Sequence, residues 1–245
     1  NRREGTKLTM LCGSFYIPKG GRGDDAHFIC IEKQTIGVAD GVGSYAREGI
    51  DAGKYARQLM SNAKNAVLDE PKDKVDLVRV LREAYTLTEA EGASTACLIT
   101  LDNNSLHAVN LGDSGFIVLR NGETIYRSPT QQHSFNAPYQ LGRRSSDTPK
   151  DAQVLMVPVE AGDVIIAGTD GLFDNLFETQ IEEVARPGIE QGFDPEEVAQ
   201  AVAEYAHSVS RDNEAFTPFM HNSANAYSGG KPDDITVIVS CIVTS

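Results

Sequence analysis

The sequence predicts an α+β fold of antiparallel sheets flanked by helices. Strand-like runs come in groups, helices come in pairs between them, and there is no regular strand–helix–strand alternation. At 245 residues the chain fits a single domain, residues 1–245, able to bury a sizeable core.

Residues 7–12 have strand character, and residues 17–23 read as a glycine-rich loop carrying Lys19 and Arg22. Residues 27–31 and 35–39 are strands joined by the polar turn Glu32-Lys33-Gln34, a hairpin that ends at Asp40. A helix follows, with Ala52, Tyr55, Ala56, Leu59, Met60, Ala63 and Val67 on one face. After a break at Asp69-Glu70-Pro71-Lys72-Asp73, Leu77, Val80, Leu81, Ala84 and Thr88 repeat that spacing. Both stripes predict core-facing helices.

The middle of the chain is β: runs at 94–101, 105–111, 115–119 and 124–127, the last two joined by the hairpin signal Asn121-Gly122. Residues 131–148 are polar and irregular, a predicted surface excursion. Strands return at 153–158 and 163–167, the second running out at Thr169-Asp170-Gly171. A short helix is expected at 178–185 and a longer one at 196–210. Asp194 is the expected N-cap, Pro195 the first helical residue and Glu197 the partner in a capping box. The second helix's stripe is Val198, Val202, Tyr205 and Val209. Residues 217–231 read as a loop before the last strand, 235–243.

With 35 acidic against 22 basic residues the formal charge is -13, which disfavours nucleic acid and anionic membranes as partners. No run approaches the roughly 18 apolar residues of a membrane helix, and no signal peptide is visible. Cys12, Cys30, Cys97 and Cys241 form no Cys-x-x-Cys pair and lie in or beside strand runs. They are expected to be mostly buried free thiols of a reducing compartment.

Four acidic clusters stand out: Gly23-Asp24-Asp25, Asp40-Gly41, Thr169-Asp170-Gly171 and Pro232-Asp233-Asp234. Asp40 and Asp170 each follow a strand-like run and precede a glycine, and Asp233 precedes a strand. Strand ends from a common sheet or sandwich can line one cleft. Clustered carboxylates repel and raise each other's pKa, a divalent cation relieves this, and all-oxygen ligation suits Mg²⁺ or Mn²⁺. The histidines at 27, 107, 133, 207 and 221 are scattered and offer no zinc spacing. The same aspartates also read as solvated turn residues, and spacing alone leaves both readings open.

Six segments carry a wider resemblance. They are Gly23-Asp24-Asp25-Ala26, Val38-Ala39-Asp40-Gly41-Val42-Gly43, Ser94-Thr95-Ala96 and Leu111-Gly112-Asp113-Ser114-Gly115, then Gly168-Thr169-Asp170-Gly171-Leu172-Phe173-Asp174-Asn175 and Gly230-Lys231-Pro232-Asp233-Asp234-Ile235-Thr236-Val237. In this order, over nearly the whole chain, the sequence resembles the metal-dependent Ser/Thr protein phosphatases of the PP2C type. Gln131-Gln132-His133, Pro138-Tyr139-Gln140-Leu141 and the run Asp170–Asn175 are similar to the organellar branch of mitochondria and plant chloroplasts.

That resemblance implies a four-layer α/β/β/α sandwich, two antiparallel sheets packed face to face and flanked by helices. It implies hydrolysis of phosphoserine and phosphothreonine in proteins by direct attack of a water or hydroxide bridging two Mg²⁺ or Mn²⁺ ions, with a weaker third ion beside them. By position, Asp40 matches the bridging carboxylate and Gly41 the residue whose carbonyl meets one ion. Asp170 and Asp233 match terminal ligands of the other ion. Asp24 and Asp25 match the acidic pair near the second metal, partly through waters. Asp113 and Asp174 match positions that help hold the third ion beside Asp170. Lys19 and Arg22 are the nearest candidates for binding phosphate.

Two departures bear on the chemistry. Val42 stands where the common pattern has a histidine, so a metal-bound water, or His133 or another residue, must protonate the leaving group; a structural hydrogen bond is the alternative role for His133. Asp24 stands where glutamate is commoner. The partners implied are phosphoproteins, the chain a monomer, the location a chloroplast or mitochondrion with any targeting segment outside this sequence. A non-catalytic binding module and a phosphatase of small phosphoesters are the competing readings. Retention of the principal acidic positions favours an enzyme.

Overall fold

The computed structural model describes residues 5–245. In chain order it forms strands β1 (Leu8–Ile17), β2 (Asp25–Cys30) and β3 (Thr35–Asp40), then helices α1 (Ala52–Leu68) and α2 (Leu77–Leu87). Strands β4 (Ala96–Asp102), β5 (Ser105–Leu111), β6 (Gly115–Arg120), β7 (Glu123–Arg127), β8 (Gln153–Pro158) and β9 (Val164–Gly168) follow. Helices α3 (Asp170–Phe173), α4 (Glu178–Glu190), α5 (Pro195–Ser210) and α6 (Pro218–Asn222) precede strand β10 (Ile235–Thr244).

The ten strands make two five-stranded antiparallel sheets, ordered β1-β10-β9-β6-β7 and β8-β5-β4-β3-β2. Alternation along β3 shows how layers arise. Ile36 and Val38 pack between the sheets with Met10, Phe116, Ile165 and Ile238, whereas Ala39 joins Phe28, Tyr55 and Leu59 under α1. On the other flank Leu172, Ile181, Val198 and Val202 cover Ile117, Ile166 and Val237. The result is the expected helix, sheet, sheet, helix sandwich with three apolar layers.

Several elements depart from the sequence reading. β1 runs to Ile17, pairing along its whole length with β10, so the loop starts later than expected. α4 continues to Glu190, through Pro187. Residues 183 and 187 both face solvent, where the carbonyl that proline's missing N–H leaves free is open to water. Asp194 caps α5 without a side-chain hydrogen bond, so no capping box with Glu197 forms. Ala206 rather than the exposed Tyr205 completes that helix's buried face. β9 stops at Gly168, and Asp170 opens the one-turn α3. Residues 131–148 hold a small hairpin (132–134 with 137–138), and Leu141 and Asp147 within them are buried. Asn121 and Gly122 make the hairpin turn between β6 and β7, both with positive φ (53° and 79°).

The contact between β1 and α5 admits only glycine. A Cβ on Gly13 of β1 would lie 2.2 Å from the backbone nitrogen and 2.6 Å from the Cα of Glu196, in the first turn of α5. Gly13→Val is expected to lower stability by about 3 kcal/mol, since neither backbone can yield cheaply. Denaturant unfolding checks this, and an unchanged midpoint would contradict the close approach.

Candidate metal centre

The acidic positions converge because of parity and register. Asp40 shares the face of Ile36 and Val38, so its carboxylate emerges at the end of the inter-sheet core, opposite Asp25 in the β2–β3 register. From the facing sheet, the turn after β9 supplies Asp170, and the segment entering β10 supplies Asp233. One oxygen from each of Asp40, Asp170 and Asp233 lies within 4.8 Å of the others. The centre is therefore built from both sheets.

Neighbouring groups fix this arrangement. Asp25 is 4% exposed, and its Oδ2 accepts the hydroxyls of Thr169 and Thr236, each at 2.7 Å, from the other sheet. The Asp40 amide donates to Thr95 Oγ1 at 3.0 Å, and that hydroxyl pairs with Ser114 at 2.8 Å. A Cβ on Gly41 would lie 2.3 Å from the Ala52 carbonyl oxygen and 2.7 Å from that of Asp24. Close backbone approach thus demands glycine here. Asp234 holds the preceding loop, accepting the Lys19 amide at 2.7 Å and the Asp24 amide at 3.1 Å.

Asp113, Asp174 and Lys231 complete the cluster. The Lys231 ammonium lies 2.7 Å from Asp170, 2.6 Å from Asp174 and 3.1 Å from Asp233. Sequence reasoning passed over Lys231 although it stands two residues before Asp233. It also passed over Thr169 and Thr236, whose hydroxyls sit inside the quoted motifs.

Other expected residues lie at the rim. The Asp24 side chain faces Asp234, Asp51 and Arg57. Lys19 and Arg22 are exposed, and their ordered bonds run through backbone atoms. Arg57, not singled out from sequence, donates to the Gly23 carbonyl at 3.2 Å and pairs with Asp51. His133 is held by Asp147 at 2.9 Å and stacks on Tyr139, which is the structural hydrogen-bonding role. Val42 donates its amide to Ala93.

The carboxylates fit a cation. Asp25 Oδ1, Asp113 Oδ1 and Asp170 Oδ1 are buried and have no hydrogen-bond partner among the described residues. Such oxygens are costly unless something positive reaches them, and an all-oxygen donor set suits hard divalent ions. Burial pushes Asp25 up to about 7, Asp174 up to about 6 and Asp233 up to about 8. Burial and the Asp170 charge also raise Asp40 and Asp113 well above the carboxylate range. Burial acts on Asp170 in the same sense, but the Lys231 ammonium and its hydrogen bonds outweigh it and hold Asp170 low.

These shifts set a pH dependence. In the metal-free fold the raised carboxylates keep protons that the unfolded chain releases above about pH 4. Between about pH 4 and 8 the folded state therefore binds more protons, and stability falls as pH rises. Asp170 contributes oppositely, its stabilisation being lost only as pH falls below that window. The Tm of the chelated protein is expected to drop from pH 5 to pH 8, and added Mn²⁺ to offset most of the drop. A Tm rising steadily across that interval would overturn the reading.

Comparison with known proteins agrees with this geometry. The family model for Protein phosphatase 2C matches residues 12–215. "Probable protein phosphatase 2C 55" of Arabidopsis thaliana is 51% identical over 97% of this chain and 53% of its own length. "Probable protein phosphatase 2C 80" of the same plant is 45% identical over 97% of this chain and 60% of its own. The chain thus spans little more than half the length of these curated relatives. The X-ray structure of the photosystem II phosphatase PBCP superposes with a TM-score of 0.87 at 30% identity, covering 95% of this chain and 98% of its own. The catalytic domain of the phosphatase PstP, in complex with 2 manganese ions, shares the fold at a TM-score of 0.68 and 19% identity, with 96% and 99% covered. On its sequence and its fold, the chain belongs to the protein phosphatase 2C family.

Proposed function

We propose that this chain is the catalytic region of a metal-dependent protein serine/threonine phosphatase, acting on phosphoserine and phosphothreonine. The observation that carries this reading is the convergence of Asp40, Asp170 and Asp233 from two sheets, with buried carboxylate oxygens left unpartnered around them. Asp40, Asp170 and Asp233 would hold the ions, with the Gly41 carbonyl and Asp25 beside them. Bound there, Mg²⁺ or Mn²⁺ supplies water activation at neutral pH and neutralises phosphoryl charge.

The chain's own groups do the rest. The Thr95–Ser114 pair and the two threonines on Asp25 keep the carboxylates in place before any ligand arrives. Beside Asp113 and Asp174 a cavity of about 420 Å³, lined also by Arg127, Phe135 and Phe219, gives a phosphorylated side chain room to approach. Cysteine chemistry is disfavoured, because burial pushes the Cys12 thiol up to about 11 and the Cys97 thiol up to about 12. Val42 has no side-chain proton to give and His133 is engaged with Asp147, so neither serves as the acid for the leaving alkoxide. No described helix is long and apolar enough to cross a membrane. The likeness to a photosystem II phosphatase supports an organellar setting.

Release of phosphate from a phosphothreonine peptide is expected to require Mg²⁺ or Mn²⁺ and to vanish in EDTA. Asp40→Asn and Asp170→Asn should each lower kcat by about 100-fold or more, the loss of several kcal/mol of metal-assisted stabilisation. Normal turnover in chelator, or in the Asp170 variant, would sink the proposal. Efficient hydrolysis of p-nitrophenyl phosphate with none of the peptide would redirect it to small esters.

A further inference from the structure

We infer that Lys231 is a built-in cation of the acidic centre, its ammonium standing beside Asp170 and Asp174 where a further divalent ion would otherwise bind. This rests on the metal-dependent reading above and deepens it: the centre takes two ions and one lysine, not three ions.

The geometry is that of a ligand, not of a surface side chain resting on its neighbours. An ammonium has three N–H donors, and three carboxylates meet this one, Asp170, Asp174 and Asp233, at 2.7, 2.6 and 3.1 Å. The side chain is only 16% exposed, and the Phe219 ring lies 5.3 Å from Nζ.

The backbone beneath it is also fixed. Asn175, fully buried, accepts the Lys231 amide through Oδ1 at 2.8 Å and donates Nδ2 to the Lys231 carbonyl at 2.9 Å. The same Nδ2 donates to the Gly171 carbonyl at 2.8 Å, joining Lys231 to the one-turn helix that starts at Asp170 and is capped by Asp174. Lysine and aspartates are thus parts of one clamp.

That clamp decides how many ions fit. A divalent ion between Asp170 and Asp174 would compete with the ammonium for the same Oδ2 lone pairs and would sit against its charge. Asp25 Oδ1 and Asp170 Oδ1 have no partner among the described residues, and Asp40, whose carboxylate feels the charges of both, is not among the three carboxylates that meet the ammonium. These oxygens are the ones left for the divalent ions. Asp113, whose Oδ1 also lacks a partner among the described residues, is then left a buried acid within reach of the lysine's charge, which differs from the third-ion role that the resemblance implied for Asp113 and Asp174.

Counting bound Mn²⁺ by equilibrium dialysis, with electron paramagnetic resonance of the free ion, tests this without reference to turnover. The wild-type chain should bind two ions, Lys231→Gln three, and Lys231→Arg two again. Asp113→Asn on the wild-type background, which tests the same point without touching the lysine, should leave two. A wild-type count of three, an unchanged count in Lys231→Gln, or the loss of one ion in Asp113→Asn would overturn the inference and leave the phosphatase reading standing. A wild-type count of zero would bring down both.

Discussion

Mutual repulsion among carboxylates at the mouth of a dry, two-sheet core is the constraint around which this protein is arranged. Aspartates 25, 40, 113, 170, 174 and 233 are brought together by strand parity in one sheet and by the segments next to β9 and β10 in the other. Left alone they would push the sheets apart. Hydroxyls, a lysine and glycine-sized gaps keep them in place. Asp25 illustrates the solution most plainly: its carboxylate belongs to one sheet, and the two hydroxyls bonded to it belong to the other. A group that is costly to bury thereby joins the layers it would otherwise separate.

The same constraint explains why small residues surround the centre. Gly41 lies against two carbonyl oxygens, and a Cβ on Gly171 would lie 2.0 Å from the carbonyl oxygen of Asp234. Backbones crowd here so that side chains from remote segments can meet. Stability has been traded for convergence, as at many catalytic sites. Asp234 plays a supporting part, tying the loop that carries Lys19 and Asp24 to the segment entering β10.

Much of this was legible in the sequence, because its carriers are periodic. Ile36, Val38 and Asp40 fall on alternate positions, so once the strand is recognised the carboxylate's direction follows. The helical stripes from Ala52 to Val67 and from Leu77 to Ala84 are buried as their spacing implies. What escaped is non-periodic. Lys231 and Asn175 are 56 residues apart and meet only through the tertiary fold. Thr169 and Thr236 look like ordinary strand-end residues until Asp25 is seen between them. The helix expected at 178–185 runs on to Glu190 because Glu183 and Pro187 both face solvent, which local spacing does not show. The N-cap of α5 failed in the opposite way: the residues suit a capping box, yet the first turn lies against Gly13 of β1 and the side-chain bond is not made.

The division of the ligand set between two sheets also affects how the protein is made. Asp25 and Asp40 leave the ribosome early, Asp170 much later, and Asp233 with β10 last among the described elements. β10 pairs with β1, the first strand of that order, so one sheet cannot close until these two sequence-distant strands find each other. A nascent chain therefore carries no assembled centre until β10 has emerged. Its acidic segments stay apart until β10 docks beside β1 and β9.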